Sequence, residues 1–470
     1  MTQWGTYLEA TRNVCGPQAG RFCNPGCTTR KLSMSKRRVV ITGIGVLTPV
    51  GIGLETFWAN IIAGKSGVDR APVLVQSDCP WKMAGEVRDF RPEDWLGRKD
   101  IRRMDRFTQF GLVASHMAIS DSALNLEKED CNRIGLALGT AYSGWGFASQ
   151  EYDVFKTRGF DAMSAYTSIA VFTGSCGGQV SMHLGLHAPS LTIATGCDCA
   201  SAAIAQAADM IVARDVDVML AGGAEAPIQP IVVAAVGTSH AISSRNDEPS
   251  QASRPFDRKR DGFVMSEGGG VLVVEELEHA LRRRAHIYAE LTGWASTCDA
   301  YHMCQPDPEG TQAVRCLQMS LARAGIRPDQ VDYLNAHGTS TALGDRVETI
   351  VIKKVFGDRA YELPLSSLKA ALGHMQGACG SVELAACCLA IRDNIIPPTI
   401  NYEFPDPECD LDCVPNVARH RRVDIAVSNS LGFGGRNTSL VVQRYRNGSA
   451  NESSRADRKA ASHENSFAAD

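Results

Sequence analysis

The sequence predicts an α/β protein built as two halves, and three observations carry that prediction. Short β-branched strands alternate with longer helical stretches through the middle of the chain, a pattern expected of layered folds with mostly parallel pairing inside each half. Glycine clusters (TGIG, AGGAEA, NAHGTS, GFGG) punctuate several strands, and such strand ends are where open α/β sheets place ligands. The 470 residues, 44% hydrophobic with 43 glycines, suffice for one large body or two fused half-size ones.

In chain order, the first half offers strands at RVVIT (38–42), IGLAL (134–138), 190–194, VDVMLA (216–221) and GVLVVE (270–275), with helices at 106–124 and 200–213. The second offers strands at HIYAELT (286–292), VDYLN (331–335), LPLSS (363–367), VDIAVS (423–428) and TSLVVQ (438–443), with helices at 312–325, 345–356 and 378–392. The halves are placed at 36–287 and 288–445. Residues 1–35 lack apolar periodicity and carry one acidic residue, Glu9; they are expected to be a disordered extension. An upstream start before MSKRRVVITG and a transit peptide are the alternatives, whereas a secretory signal would need an apolar run that is absent. The CNPGC stretch lacks the partner ligands zinc requires. Residues 446–470 are polar and charged, as expected of a disordered tail.

Composition narrows the function classes. A net charge of −4 gives no reason to expect nucleic-acid or membrane-surface binding. No apolar run reaches the roughly 18 residues of a membrane span. Sixteen cysteines scatter through apolar contexts such as ELAACCLAIRD, which reads as reduced thiols and a cytoplasmic setting.

The stretch LTIATGCDCASAAIAQAADMI (191–211) is a strand, a Gly196 turn and a helix of small residues. Cys197 falls at the helix N-terminus, where free amides and the helix dipole favour a thiolate and can hold an oxyanion. Cys199 points to another side of the helix. From these residues alone, three readings stay open: a Cys197 nucleophile, two small buried hydrophobes, or a metal pair lacking its other ligands.

A nucleophile needs partners. His337 and His374 each stand in a glycine-flanked loop after a strand and are candidates to converge on one pocket. Lys369 precedes His374, and Glu383 lies in an otherwise apolar helix, so an ion pair between them is expected. The glycine-rich SNSLGFGGRN (428–437) carries Phe433 and permits close backbone approach to a ligand.

Together these motifs resemble the β-ketoacyl-(acyl-carrier-protein) synthases, in particular the synthase II type of the thiolase superfamily. The resemblance spans about residues 36–445 and rests on ordered segments: RRVVITGIGVLTPVG, IATGC, DVMLAGGAEA, RPFDRKRDGFVMSEGGGVLVVEELEHA, NAHGTST, LKAALGH and NSLGFGGRN. It implies a thiolase-like five-layer α-β-α-β-α fold, two similar halves and a homodimer. It assigns the nucleophile to Cys197, the two histidines to His337 and His374, the lysine and glutamate to Lys369 and Glu383, and the gating phenylalanine to Phe433. An oxyanion hole from the amides of Cys197 and Phe433 follows, with a structural monovalent cation near Asn335, Glu383, Ser428 and Asn429. Asp345 and Glu348 would tie down the loop after His337, unless they form surface salt bridges.

The implied reaction is decarboxylative condensation of malonyl-carrier protein with an acyl group on Cys197; it uses no redox cofactor and no catalytic metal. Acyl-carrier protein is the implied partner, and RKDIRR (98–103) and RRR (282–284) are candidate docking surfaces. Several positions depart from the family pattern: Leu368, Ala370, Leu431, Arg436, Ser266 and Cys304. They leave open a specialised polyketide or lipid pathway rather than housekeeping elongation. A non-catalytic chain-length-determining subunit would lack the cysteine. A non-decarboxylating thiolase would need a second cysteine in the 432–435 loop.

Overall fold

The computed structural model describes residues 37–446. The terminal segments, with Cys15, Cys23 and Cys27, lie outside the described residues apart from Arg446. Ten principal strands form two quintets. The first comprises β1 (Val39–Thr48), β2 (Ile134–Gly139), β3 (Ser190–Ile193), β4 (Val218–Glu225) and β5 (Gly268–Glu276). The second comprises β6 (Ala289–Cys298), β7 (Tyr333–Asn335), β8 (Leu365–Ser366), β9 (Ile425–Gly432) and β10 (Arg436–Gln443). The order is β3-β2-β4-β5-β1 in one and β8-β7-β9-β10-β6 in the other, so the second repeats the first with every strand shifted by five. A short strand, Gly51–Ile52, pairs back on β1.

Pairing inside each quintet is mixed, not mostly parallel. β2 is parallel to β3 and β4, while β4–β5 and β5–β1 are antiparallel, and the second quintet repeats this. The reason lies in the connections: β9 and β10 form a tight hairpin across residues 433–435, which only antiparallel strands allow. The quintets meet edge to edge where Val39–Ile41 pairs with Ala289–Leu291, giving one continuous sheet.

That sheet wraps around two helices, α4 (Cys199–Val212) and α8 (Cys379–Asp393), which pack against each other and touch strands of both quintets. Cys379 through Ile391 of α8 are all buried, as expected of a helix apolar on every side. Outside the first quintet lie α1 (Arg106–Asp121) and α3 (Ser175–Leu184), and outside the second α5 (Thr311–Ala324), with α6 (Ala342–Phe356) against it. Helix, sheet, helix, sheet and helix make the five-layer thiolase-like arrangement.

The glycines of TGIG do not end a strand. β1 continues to Thr48, because Gly43 and Gly45 are where α1 presses on the sheet. A Cβ there would sit 2.3 Å from the Ala118 carbonyl oxygen or 2.0 Å from that of Ala114. The AGGAEA glycines likewise lie within β4. The sequence reading also leaves 125–199 without helices, where the chain forms α2 (Trp145–Arg158) and α3. Trp145, Tyr152 and Phe155 of α2 face outward, so its apolar residues mark no core-facing stripe. No helix of the described residues is long and apolar enough to cross a membrane.

Candidate active site

Cys197 sits on the turn between β3 and α4. Gly196 makes that turn at φ +100°, a conformation that favours glycine. Phe433, at the end of the β9 hairpin, lines the same cavity as Cys197, and its backbone N–H favours the thiolate. Burial pushes the Cys197 thiol up to about 11; the Phe433 N–H and the Lys369 charge oppose this, whereas Asp198 and Glu225 add to it. Cys199 is turned away: its buried thiol donates to the carbonyls of Gly196 (2.6 Å) and Thr140 (3.3 Å). The two cysteines therefore diverge.

Both histidines come to Cys197 from the second half. Their rings meet edge to face, with centroids 5.5 Å apart, and both border one small cavity with Cys197 and Phe433. Burial holds both well below the ordinary value of 6.5, and the Lys369 charge lowers them further, so the rings are neutral. His374 Nδ1 accepts the backbone N–H of Gln376 at 3.3 Å, which places its ring proton on Nε2. The Cys379 thiol also lies 3.2 Å from that Nδ1.

Two carboxylates on α6 fix the His337 loop, and both are buried rather than on the surface. Glu348 accepts the N–H groups of His337 (2.8 Å) and Gly338 (2.7 Å). Asp345 accepts those of Phe256 (2.8 Å) and Ser340 (3.1 Å). Burial pushes Glu348 up to about 7 and Asp345 to about 6. Lys369, which begins the short helix α7 (Lys369–Leu372), forms a buried ion pair with Glu383 of α8. Burial works against the ammonium, but the Glu383 charge outweighs it and keeps the lysine protonated.

Glu383 Oε2 and Asn429 Oδ1 are buried acceptors without a hydrogen-bond donor. Asn335 pairs with Ser428 across β7 and β9, with its Nδ2 3.5 Å from the serine oxygen. These hard oxygen donors fit a monovalent cation, with Glu383 and Asn429 supplying the oxygens that lack partners.

A second, apolar cavity of about 400 Å³ is lined by Tyr142, Trp145, Ile231, Val232, Ala235, Val236 and Ser239. It shares Phe433 and Cys304 with the first, so the two cavities adjoin at these residues. Leu431 lines the first cavity. Leu368 and Ala370 are buried in the core, and Ser266 donates its hydroxyl to the Gly85 carbonyl at 3.0 Å. Arg436 is exposed and its charge acts on Asp198. Arg98, Lys99 and Arg102 are exposed, whereas Arg283 is taken up by Glu275.

Sequence reasoning passed over Gln376, whose Oε1 accepts the Cys197 S–H at 3.4 Å. It also passed over Glu225, which accepts N–H groups from Ala141, Tyr142 and Gly377 and so ties the first half's loop to the His374 segment. A buried acid closing the AGGAEA strand was the available signal for the second; nothing local marked the first.

The model for the N-terminal domain of β-ketoacyl synthases matches residues 36–280, and that for the C-terminal domain matches 288–403. A 3-oxoacyl-(acyl-carrier-protein) synthase 2 from Coxiella burnetii is 46% identical over 87% of this chain and 99% of its own. One from a Synechocystis species is 41% identical over 88% and 99%. Among solved structures, a type II polyketide ketosynthase in complex with its acyl-carrier protein matches at TM-score 0.81 and 36% identity, covering 87% of this chain and all of that one. A β-ketoacyl synthase from Burkholderia phymatum matches at TM-score 0.81 and 33% identity, with the same coverage. The chain belongs to the β-ketoacyl synthase family.

Proposed function

We propose that this protein is a 3-oxoacyl-(acyl-carrier-protein) synthase that lengthens a fatty acyl chain by two carbons. The observation that carries this reading is the shared cavity: a thiol at a helix N-terminus faces two neutral histidines. In the first half-reaction, Cys197 attacks the acyl thioester of a loaded carrier protein. The carbon–sulfur bond to the carrier breaks, and the proton of Cys197 ends on the departing carrier thiol. The amides of Cys197 and Phe433 hold the tetrahedral oxyanion.

In the second, malonyl-carrier protein loses carbon dioxide, and the enolate oxygen takes hydrogen bonds from His337 and His374. Neutrality suits this role, since each ring donates without giving up its proton. The enolate carbon attacks the acyl thioester, Cys197 leaves, and one proton is taken up from water. Lys369 and Glu383 organise the His374 side. Asp345 and Glu348 position His337.

The relatives at 41 to 46% identity are 3-oxoacyl synthases 2, which favours fatty-acid elongation over a specialised pathway. A non-catalytic subunit would have no use for the clustered thiol and imidazoles. Carrier-protein docking at the exposed Arg98, Lys99 and Arg102 suits an acidic partner. A homodimer is supported by exposed Trp145, Tyr152, Phe155, Phe160, Ile169 and Phe172, together with the partly exposed edge strand β3. We take the halves to divide at 287/288, between the last helix of the first quintet, ending at Arg282, and β6. The cytoplasm suits its free thiols.

Intact-mass analysis with acyl-carrier protein tests the assignment. An acyl adduct on Cys197 is expected, and none on Cys197→Ala. An adduct that persists on the alanine variant overturns the nucleophile.

A further inference from the structure

Gln376 is buried at 3% exposure inside the site, and four observations single it out. Its Oε1 accepts the Cys197 S–H at 3.4 Å. Its backbone N–H is the donor that fixes His374 Nδ1. Its backbone is held at φ +48°, a left-handed conformation that residues other than glycine and asparagine rarely adopt and that clusters at functional sites. Finally, its Nε2 reaches one acceptor among the described residues, the thioether sulfur of Met265 at 3.5 Å. Thioether sulfur is a weak acceptor, so the amide end is poorly anchored against rotation about its terminal torsion.

The nucleophile passes through two states that ask opposite things of this amide. As a thiol, Cys197 has one proton to donate, and Oε1 receives it. As a thiolate or a thioester it has none, and an unturned Oε1 would press a buried acceptor against a sulfur that also only accepts. A half-turn brings an N–H to the sulfur instead.

We propose that Gln376 is a positioning residue of this condensation: its carboxamide receives the Cys197 S–H in the resting enzyme and turns over to donate an N–H to that sulfur once the proton has left. The inference rests on Cys197 being the acylated thiol. Its backbone hold on His374 joins the two halves of the reaction through a single residue. Other charged or titrating groups facing Cys197 are Asp198 on its own turn, Glu225 at the end of β4, and Lys369 on α7. Tyr142 on the loop after β2, Cys379 on α8, and the two histidines, Glu348 and Cys304 around the shared cavity complete the set. Gln376 is the residue whose side chain hydrogen-bonds the Cys197 sulfur, through Oε1 at 3.4 Å.

The test is the pH profile of Cys197 alkylation by iodoacetamide in the full-length protein, with the modified residue identified by mass. Three variants are compared with the parent: Gln376→Leu, Gln376→Met and Gln376→Glu. All three side chains are unbranched at Cβ, so the backbone conformation is equally open to them. Removing the turned N–H raises the apparent pKa of the thiol. For Leu and Met, alkylation at neutral pH is expected to fall by about three- to tenfold while the high-pH plateau stays at the parental rate. Glu, which accepts and repels the thiolate, is expected to fall further. An apparent pKa that is unchanged or lower in both Leu and Met overturns the proposal, since the amide would then act only as an acceptor. If one of these two misfolds, the other decides. Exposed thiols such as Cys298 and Cys304 also alkylate, so the nucleophile assignment is judged separately, by an acyl adduct that persists on Cys197→Ala, and the two failures are told apart.

Discussion

Glu348→Gln isolates the support beneath His337. The carboxylate accepts two backbone N–H groups, from His337 and Gly338, one on each oxygen. Glutamine keeps the shape and one acceptor but turns an NH2 toward the other N–H. One buried backbone donor is thereby orphaned, at a cost of about 1–3 kcal/mol. If that strain is relieved by displacing the loop, His337 leaves the enolate position, and the same energy appears in the barrier as about a five- to 150-fold loss of rate. Acylation of Cys197 does not use His337 and is expected to proceed. The assay is therefore double: carbon dioxide release from malonyl-carrier protein should fall in that range, while the acyl adduct seen by intact mass forms to the parental extent. Decarboxylation within about twofold of the parent, in a variant with unchanged circular dichroism, would refute the reasoning.

Three further outcomes follow from the same site. Glu383→Leu leaves the Lys369 ammonium buried without its partner and should cost about 3–5 kcal/mol by chemical denaturation, with most of it regained in a Lys369→Met, Glu383→Leu double variant. Isotope-edited NMR should show that the His337 and His374 rings do not titrate near 6.5, the ordinary value. The unfolded chain does protonate there, so folding stability should decline as pH drops through that value; two rings titrating normally would contradict their neutrality. Exchanging sodium and potassium for tetramethylammonium should lower the melting temperature, because Glu383 Oε2 and Asn429 Oδ1 then lose their cation; an unmoved melting temperature would remove the ion from the site.

The outline of the fold was legible because most strands are short β-branched runs bounded by turns, and the helices that form the core are rich in alanine or apolar throughout. What misled was glycine. In TGIG it reads as punctuation, yet Gly43 and Gly45 are inside β1 because α1 needs their missing side chains, a long-range fact with no local signature. Cys197, His337 and His374 were legible as residue types in loops after strands. Their convergence was expected from that shared placement and from the resemblance, while the 140 residues between Cys197 and His337 carry no geometry of their own. Gln376 was invisible for a related reason: an amide becomes informative only when the thing it touches is known.

The repeated strand order has one more meaning. Cys197 lies between the third strand of its quintet and a central helix, β3 to α4, and His374 lies at the matching crossover, β8 to α8. In the proposed reaction the same structural address thus holds the thiol that carries the electrophilic acyl group in one half and a hydrogen-bond donor to the enolate in the other. A single scaffold, used twice and faced inward, would then serve both partners of the carbon–carbon bond, with Gln376 bridging the two crossovers.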